Sequence, residues 1–182
     1  MTDFPQLLFV FLVAVNPASQ ARLLGSTTGS TRMWAAAWGF CMGAVLLVAA
    51  TVGAPAFLEF LEVEPETFRI AAGIVIATWG IRSMLPFPAT AGEGGLLLRG
   101  AIPLGWPGIA NPAAIAAALS LGADSDRAGV VFAAVLWCAV AATVALRTAP
   151  RFLVAMTWVT VTLGALAAIV GANLIVDGVL AV

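Results

Sequence analysis

Residues 4–21 read FPQLLFVFLVAVNPASQA, a run without a single charge that is broken late by Asn16-Pro17. A helix needs about 20 apolar residues to cross a hydrocarbon core, so this run predicts a transmembrane helix. Proline supplies no N–H and clashes with the carbonyl one turn earlier. Asparagine brings a donor pair and an acceptor to a depth where unpaired polar groups are costly. The run therefore predicts a helix that loosens near Asn16 and frees carbonyl groups there.

The pattern returns 95 residues later. Asn16-Pro17-Ala18 overlays Asn111-Pro112-Ala113, Arg32 overlays Arg127, and Ala54-Pro55-x-Phe57-Leu58 overlays Ala149-Pro150-x-Phe152-Leu153. After a four-residue gap, Gly73 and Gly80 match Gly164 and Gly171. Ala and Leu matches mean little in so apolar a chain; the Asn-Pro, Pro-x-Phe-Leu and Arg matches keep their order and mean more. Five further uncharged stretches follow the first, at 33–58, 70–81, 100–123, 128–146 and 152–176. The third is short, but Arg69 and Arg82 at its ends can snorkel to the interface and let the helix extend. Continuous apolar runs, rather than alternation over about ten residues, predict helices and not a β-barrel.

The predicted fold is thus an all-α membrane protein of six transmembrane helices, with helices 1 and 4 interrupted at Asn-Pro. It forms a single transmembrane domain, 1–182, of two three-helix repeats, 1–94 and 95–182. Corresponding helices are separated by an odd number of crossings and run in opposite directions. Such inverted-topology repeats recur in secondary transporters, whose sites lie near the midplane where paired helices are broken.

Composition agrees. Of 182 residues, 62% are hydrophobic and 9% charged, and the mean hydropathy is +1.07; a soluble domain carries roughly 25% charged residues. There is no His, and every cation is Arg. That removes a lysine Schiff base, a histidine metal site and a histidine relay. Cys41 and Cys138 lie inside apolar runs and read as small core residues in helices, not a disulfide or a metal cluster. The start, Met1-Thr2-Asp3, lacks the basic region of a cleavable signal, so the first run reads as a retained helix. No basic stripe with interleaved aromatics suggests nucleic acid, and no Gly-rich phosphate loop suggests ATP drive. No catalytic residue, metal or cofactor is expected, and the chain does not read as an enzyme.

Six spans put the termini on the side of the loops after helices 2 and 4. That side holds Asp3, Glu59, Glu62, Glu64, Glu66, Asp124, Asp126 and Asp177, with Arg69 and Arg127. The other side holds Arg22, Arg32, Arg82, Arg99, Arg147 and Arg151, with Glu93. The positive-inside rule places the Arg-rich side in the cytoplasm and both termini outside it.

The candidate binding residues are Asn16, Pro17, Ser19, Gln20, Trp106, Asn111, Pro112 and Ala113. The two Asn-Pro breaks are expected to face each other across a pseudo-two-fold axis and line a small polar cavity. The bland alternative is that each Asn caps freed carbonyls and serves packing only. Helix 4 is the more broken, with Pro103, Trp106-Pro107-Gly108 and Asn111-Pro112 close together. Ala113-Ala114 and Ala116-Ala117-Ala118 would permit close helix approach. Thr157, Thr160 and Thr162 are expected to bond back to their own helix. Arg82 and Asn173 nearly correspond in the repeat, near the ends of helices 3 and 6, and Arg82 reads as interfacial; the acidic loop 59–66 reads as a solvated outer loop. No Asp or Glu is evidently central, so no carboxylate proton relay is expected.

Several segments resemble the MarC family of bacterial and archaeal membrane proteins, which belongs with the LysE-type exporters. Phe11-Leu12-Val13-Ala14-Val15-Asn16-Pro17 is similar to that family's apolar run ending in Asn-Pro. Phe68-Arg69-Ile70-Ala71-Ala72-Gly73-Ile74 is similar to its Arg-Ile-Ala-Gly-Gly helix, continuing to Met84-Leu85. Ile102-Pro103-Leu104-Gly105-Trp106-Pro107 leads to Asn111-Pro112-Ala113-Ala114-Ile115, where the family usually has Gly-Pro-Gly-Ala-Ile. Ile175-Val176-Asp177-Gly178-Val179 is similar to its terminal Leu-Asp-Gly-Ile. The departures are Ala18, Ser19 and Arg22, where the family usually has Gly and a further Pro, and the Gly-to-Asn change at 111.

The resemblance covers most of the chain. It implies six helices, a place in the bacterial or archaeal plasma (inner) membrane, and transport, with small neutral amino acids as one substrate class. The expected partners are a small-molecule solute and membrane lipids, with a homodimer as the oligomer considered. Two alternatives to a secondary transporter stay open: a flippase for lipid or lipid-linked substrates, and a non-transporting subunit of a membrane complex.

Overall fold

The computed structural model describes residues 3–22, 29–85 and 100–182. Glu93, Arg99 and the junction of the two repeats at 94–95 lie outside the described residues. The described chain is helical throughout: α1 (Phe4–Val15), a 3-10 helix (Pro17–Arg22), α2 (Gly29–Leu61), α3 (Pro65–Met84), a π-helical segment (Gly100–Ile109), α4 (Pro112–Asp124), α5 (Arg127–Arg147), a short 3-10 turn (Pro150–Phe152) and α6 (Leu153–Ala181). Among the described residues, Phe4–Ala21, Gly29–Leu61, Arg127–Arg147 and Leu153–Ala181 are long and apolar enough to span a membrane. α3 has 20 residues, and α4 has 13.

Local chemistry sets the boundaries. Pro65 and Pro112 open α3 and α4, where a missing N–H costs nothing because first-turn donors have no intrahelical partner. Asp126 caps α5 by accepting from the N–H groups of Ala128 and Gly129. α2 ends at Glu62, which takes a left-handed conformation with φ 55°, and Val63 N–H closes onto the Leu58 carbonyl at 3.1 Å. With 33 residues α2 is about 50 Å long, more than the hydrocarbon core requires. It runs straight through Pro55, whereas the corresponding Pro150 lies between α5 and α6; the two halves differ here.

Packing is inverted relative to a water-soluble protein. Most of the buried apolar residues are alanines, and α4 is buried over Ala113, Ala114, Ala116, Ala117 and Ala118. Large apolar side chains face outward instead, with Val154 at 72% and Trp158 at 70% exposure. Against lipid there is no hydrophobic drive between helices, so small residues that let backbones approach carry the contacts. α3 and α6 show this best. They run antiparallel, with Gly73 against Gly171 and Gly80 against Gly164. A methyl group at Gly171 would stand 2.5 Å from the Gly73 carbonyl oxygen, and one at Gly80 2.6 Å from that of Gly164. Gly122 brings α4 as close to Thr51 on α2, where a methyl group would stand 2.5 Å from the Thr51 carbonyl oxygen.

The helix ends sort by charge. Arg69 at the start of α3 pairs with Asp124 at the end of α4. Phe4 meets Phe132 at 6.0 Å between ring centroids, which places the start of α1 beside the first turns of α5. At the opposite end, the Arg32 Nη2 donates to the carbonyls of Ala145 (2.7 Å) and Thr148 (3.0 Å), closing the last turn of α5. Cys138 is in the core as expected; Cys41, expected there too, is instead exposed on α2, where large and small apolar side chains face outward, and both are free thiols.

Candidate functional site

α1 stops at Val15 because Asn16 turns left-handed, with φ 47° and ψ 70°. Asn is one of the few residues that take this conformation readily, and it commonly ends helices. The Asn16 N–H still reaches the Leu12 carbonyl at 3.0 Å. Pro17 then has no N–H to offer Val13, and the chain continues as a 3-10 helix. The helix does not merely loosen at Asn16. It ends there, leaving terminal carbonyls in need of donors.

Asn111 meets one of them. Its Nδ2 donates to the Ala14 carbonyl at 2.8 Å and to the Gly108 carbonyl at 3.3 Å. Its Oδ1 accepts from the Ala114 N–H at 3.0 Å, which caps α4. Both donors and the acceptor of this amide are engaged. The π-helical segment before it has prolines at 103 and 107 and closes with Ala110 N–H on the Gly105 carbonyl at 2.9 Å, a bond five residues back. Asn111 therefore ties three chain ends together. It also brings the electronegative end of α1 to the electropositive start of α4.

Asn16 differs. Its Nδ2 donates to the main-chain carbonyl of Thr160 on α6 at 3.1 Å, but its Oδ1 is buried without a donor among the described residues. Gln20 repeats the situation: Nε2 donates to Ser19 Oγ at 2.8 Å, and the buried Oε1 has no donor. Chemistry fixes which amide atom is which. The Thr160 carbonyl can only accept, so the Asn16 nitrogen must face it. Ser19 Oγ gives its one proton to the Asn16 carbonyl at 2.7 Å, so it must accept from the Gln20 nitrogen. Two amide oxygens within one turn, on residues 3% and 2% exposed, thus have no donor among the described residues.

The family description "MarC family integral membrane protein" matches residues 3–182. The chain belongs to the MarC family. No curated protein and no solved structure matches it.

The structure unites some of the expected site residues of this MarC protein and separates others. Asn16, Pro17 and Gln20 are buried at the end of α1 with half-buried Ser19. Asn111 and Ala113 are buried beside them at the start of α4, and Pro112 is half-buried. Trp106 is 39% exposed on the π-helical segment and keeps its ring at the surface. A pocket of about 450 Å³ opens at the acidic corner, lined by Pro55, Leu58, Glu59, Glu62, Glu64 and Ala123 among others, and none of the Asn-Pro residues lines it.

Thr157, Thr160 and Thr162 bond back to Leu153, Met156 and Trp158 as expected. Arg82 and Asn173 are exposed, and the Arg82 guanidinium lies over the Trp79 ring at 5.5 Å. Among the described residues no Asp or Glu is buried. The site members that sequence reading missed are main-chain carbonyls, those of Ala14, Gly108 and Thr160. A carbonyl belongs to every residue type, so no residue pattern marks it.

Proposed function

We propose that this MarC protein is a secondary carrier for a small polar solute of the neutral amino-acid class, and that the solute binds where α1 ends and α4 begins. The observation that carries the reading is the juxtaposition at Ala14 and Asn111. The end of one half-helix meets the start of another, beside two buried amide oxygens without donors. A zwitterion carries one group for each end: a helix start favours a carboxylate and a helix end favours a cation. Broken helices of this kind house the sites of many carriers.

Six crossings arranged as an inverted repeat support the same reading. Under the correspondence of Gly73 with Gly164 and Gly80 with Gly171, a two-fold operation turns the Gly73–Gly171 contact into the Gly164–Gly80 contact. Both contacts are present. The π-helical segment and α4 then make one crossing, as do α1 and its 3-10 extension. The Arg-rich end faces the cytoplasm and both termini lie outside it.

The test is counterflow of labelled glycine or alanine into proteoliposomes, with Asn16→Gly beside wild type. Glycine takes the left-handed conformation without strain, so the variant removes the amide and keeps the turn. Saturable counterflow that falls at least about tenfold in the variant supports the reading, the loss expected when a hydrogen bond to a charged group is removed. Counterflow that is absent from wild type, or equal in both, overturns it.

A further inference from the structure

We infer that Asn16 Oδ1 and Gln20 Oε1 form a binding site for one compact monovalent cation, either an alkali ion of the size of sodium or the primary ammonium of the solute. The inference deepens the carrier reading, on which it rests only for the purpose that binding would serve.

Every unpartnered polar atom in this turn is an oxygen. Asn16 Oδ1 and Gln20 Oε1 are buried acceptors, and the hydrogen-bond directions around Thr160 and Ser19 forbid exchanging them for nitrogens. The chain from Gln20 Nε2 through Ser19 Oγ to the Asn16 carbonyl holds the Gln20 amide one hydroxyl away from the Asn16 backbone. Both oxygens are therefore carried by amides of one turn, joined through the Ser19 hydroxyl. That turn lies at the carboxyl end of α1, where the helix dipole is negative. Pro17 also deprives the Val13 carbonyl of its usual donor. Carriers bind monovalent cations through unwound backbone carbonyls at half-helix ends, and an amide oxygen is the same kind of neutral donor.

Electrostatics favours a cation here. An anion at this turn would face the amide oxygens of Asn16 and Gln20. A divalent cation calls for carboxylate ligands, and no carboxylate is buried among the described residues. A neutral, oxygen-only site at a helix end suits a single positive charge. Asn111 has its oxygen and both amide protons on main-chain groups and caps α4, so the oxygens without donors lie on one side although the Asn-Pro motif is repeated.

The experiment measures thermal unfolding of the full chain in detergent, without amino acid, against rising sodium, methylammonium, choline or tetramethylammonium chloride at constant ionic strength. A ligand bound only by the folded state raises apparent stability in a saturable way. The expected result is a saturable shift with sodium or with methylammonium and none with choline or tetramethylammonium. Sodium alone identifies an alkali-ion site, methylammonium alone a solute-ammonium site, and both a site that selects on size and charge. Gln20→Met should raise the Kd at least about tenfold, as expected for loss of a charge-assisted contact. Gln20→Glu, which keeps the oxygens and adds a charge, should lower it.

A flat response of wild type, an equal response to all four salts, or an unchanged Kd in Gln20→Met overturns the inference. If Gln20→Met does not fold, failure of Gln20→Glu to bind more tightly overturns it. Amino-acid counterflow in a protein without a cation response refutes this site alone. Cation binding without counterflow refutes the carrier reading alone.

Discussion

Replacing Asn111 by Leu should unfold this protein more readily than removing the Asn16 side chain, although the two occupy matching positions in the repeat. Asn111 makes three hydrogen bonds, to the carbonyls of Ala14 and Gly108 and from the N–H of Ala114. Asn16 makes one through its side chain, to Thr160. A net hydrogen bond contributes about 1 kcal/mol, and an interhelical one inside a membrane averages about 0.6 kcal/mol. Asn111→Leu then costs about 2–4 kcal/mol, because three partners are left unpaired in a buried place. Asn16→Gly costs about 1 kcal/mol or less, since glycine keeps the left-handed turn. The assay is reversible unfolding in mixed micelles titrated with a denaturing detergent, read by tryptophan fluorescence. The folding equilibrium should fall roughly a hundredfold in Asn111→Leu and less than about tenfold in Asn16→Gly. An Asn111→Leu protein as stable as wild type, or an Asn16→Gly protein less stable than Asn111→Leu, would refute the assignment of Asn111 to capping.

Gly171→Ala should destabilise by about 1–3 kcal/mol or more, because its methyl group would stand 2.5 Å from backbone atoms of both Ala77 and Gly73. Gly53→Ala in α2 meets nothing within 4 Å and should stabilise by up to about 1 kcal/mol through helix propensity; the same detergent titration ranks both. Glu62→Gly relieves the left-handed strain at the end of α2 and should raise the thermal midpoint, by an amount corresponding to about 1 kcal/mol. Arg32→Gln removes the guanidinium from the carbonyls of Ala145 and Thr148 and should cost about 1–2 kcal/mol; faster hydrogen exchange confined to the last turn of α5 checks that this end is the one released.

Membrane residence was legible in the chain because it follows from composition and run length. A helix of about 20 apolar residues has no stable place in water. The Asn-Pro pairs, the Gly73/Gly80 and Gly164/Gly171 spacings and the sorting of charges were legible because each is a property of residue type and order. α4 illustrates the limit. Its alanines announce close packing, but they do not say which helix is close. Pro55 illustrates another: as a residue it matches Pro150, yet α2 continues through one and the chain leaves α5 before the other.

The sequence by itself determined that two polar, proline-broken segments stand within apolar runs. Tertiary structure decided their roles. It placed Asn111 where two carbonyls and an N–H hold both ends of its amide, and Asn16 and Gln20 where the side-chain oxygen of each finds no donor among the described residues. The two asparagines became unequal because hydrogen-bonding capacity is spent on neighbours, and packing brought the Ala14 carbonyl of α1 to Asn111 and the Thr160 carbonyl of α6 to Asn16.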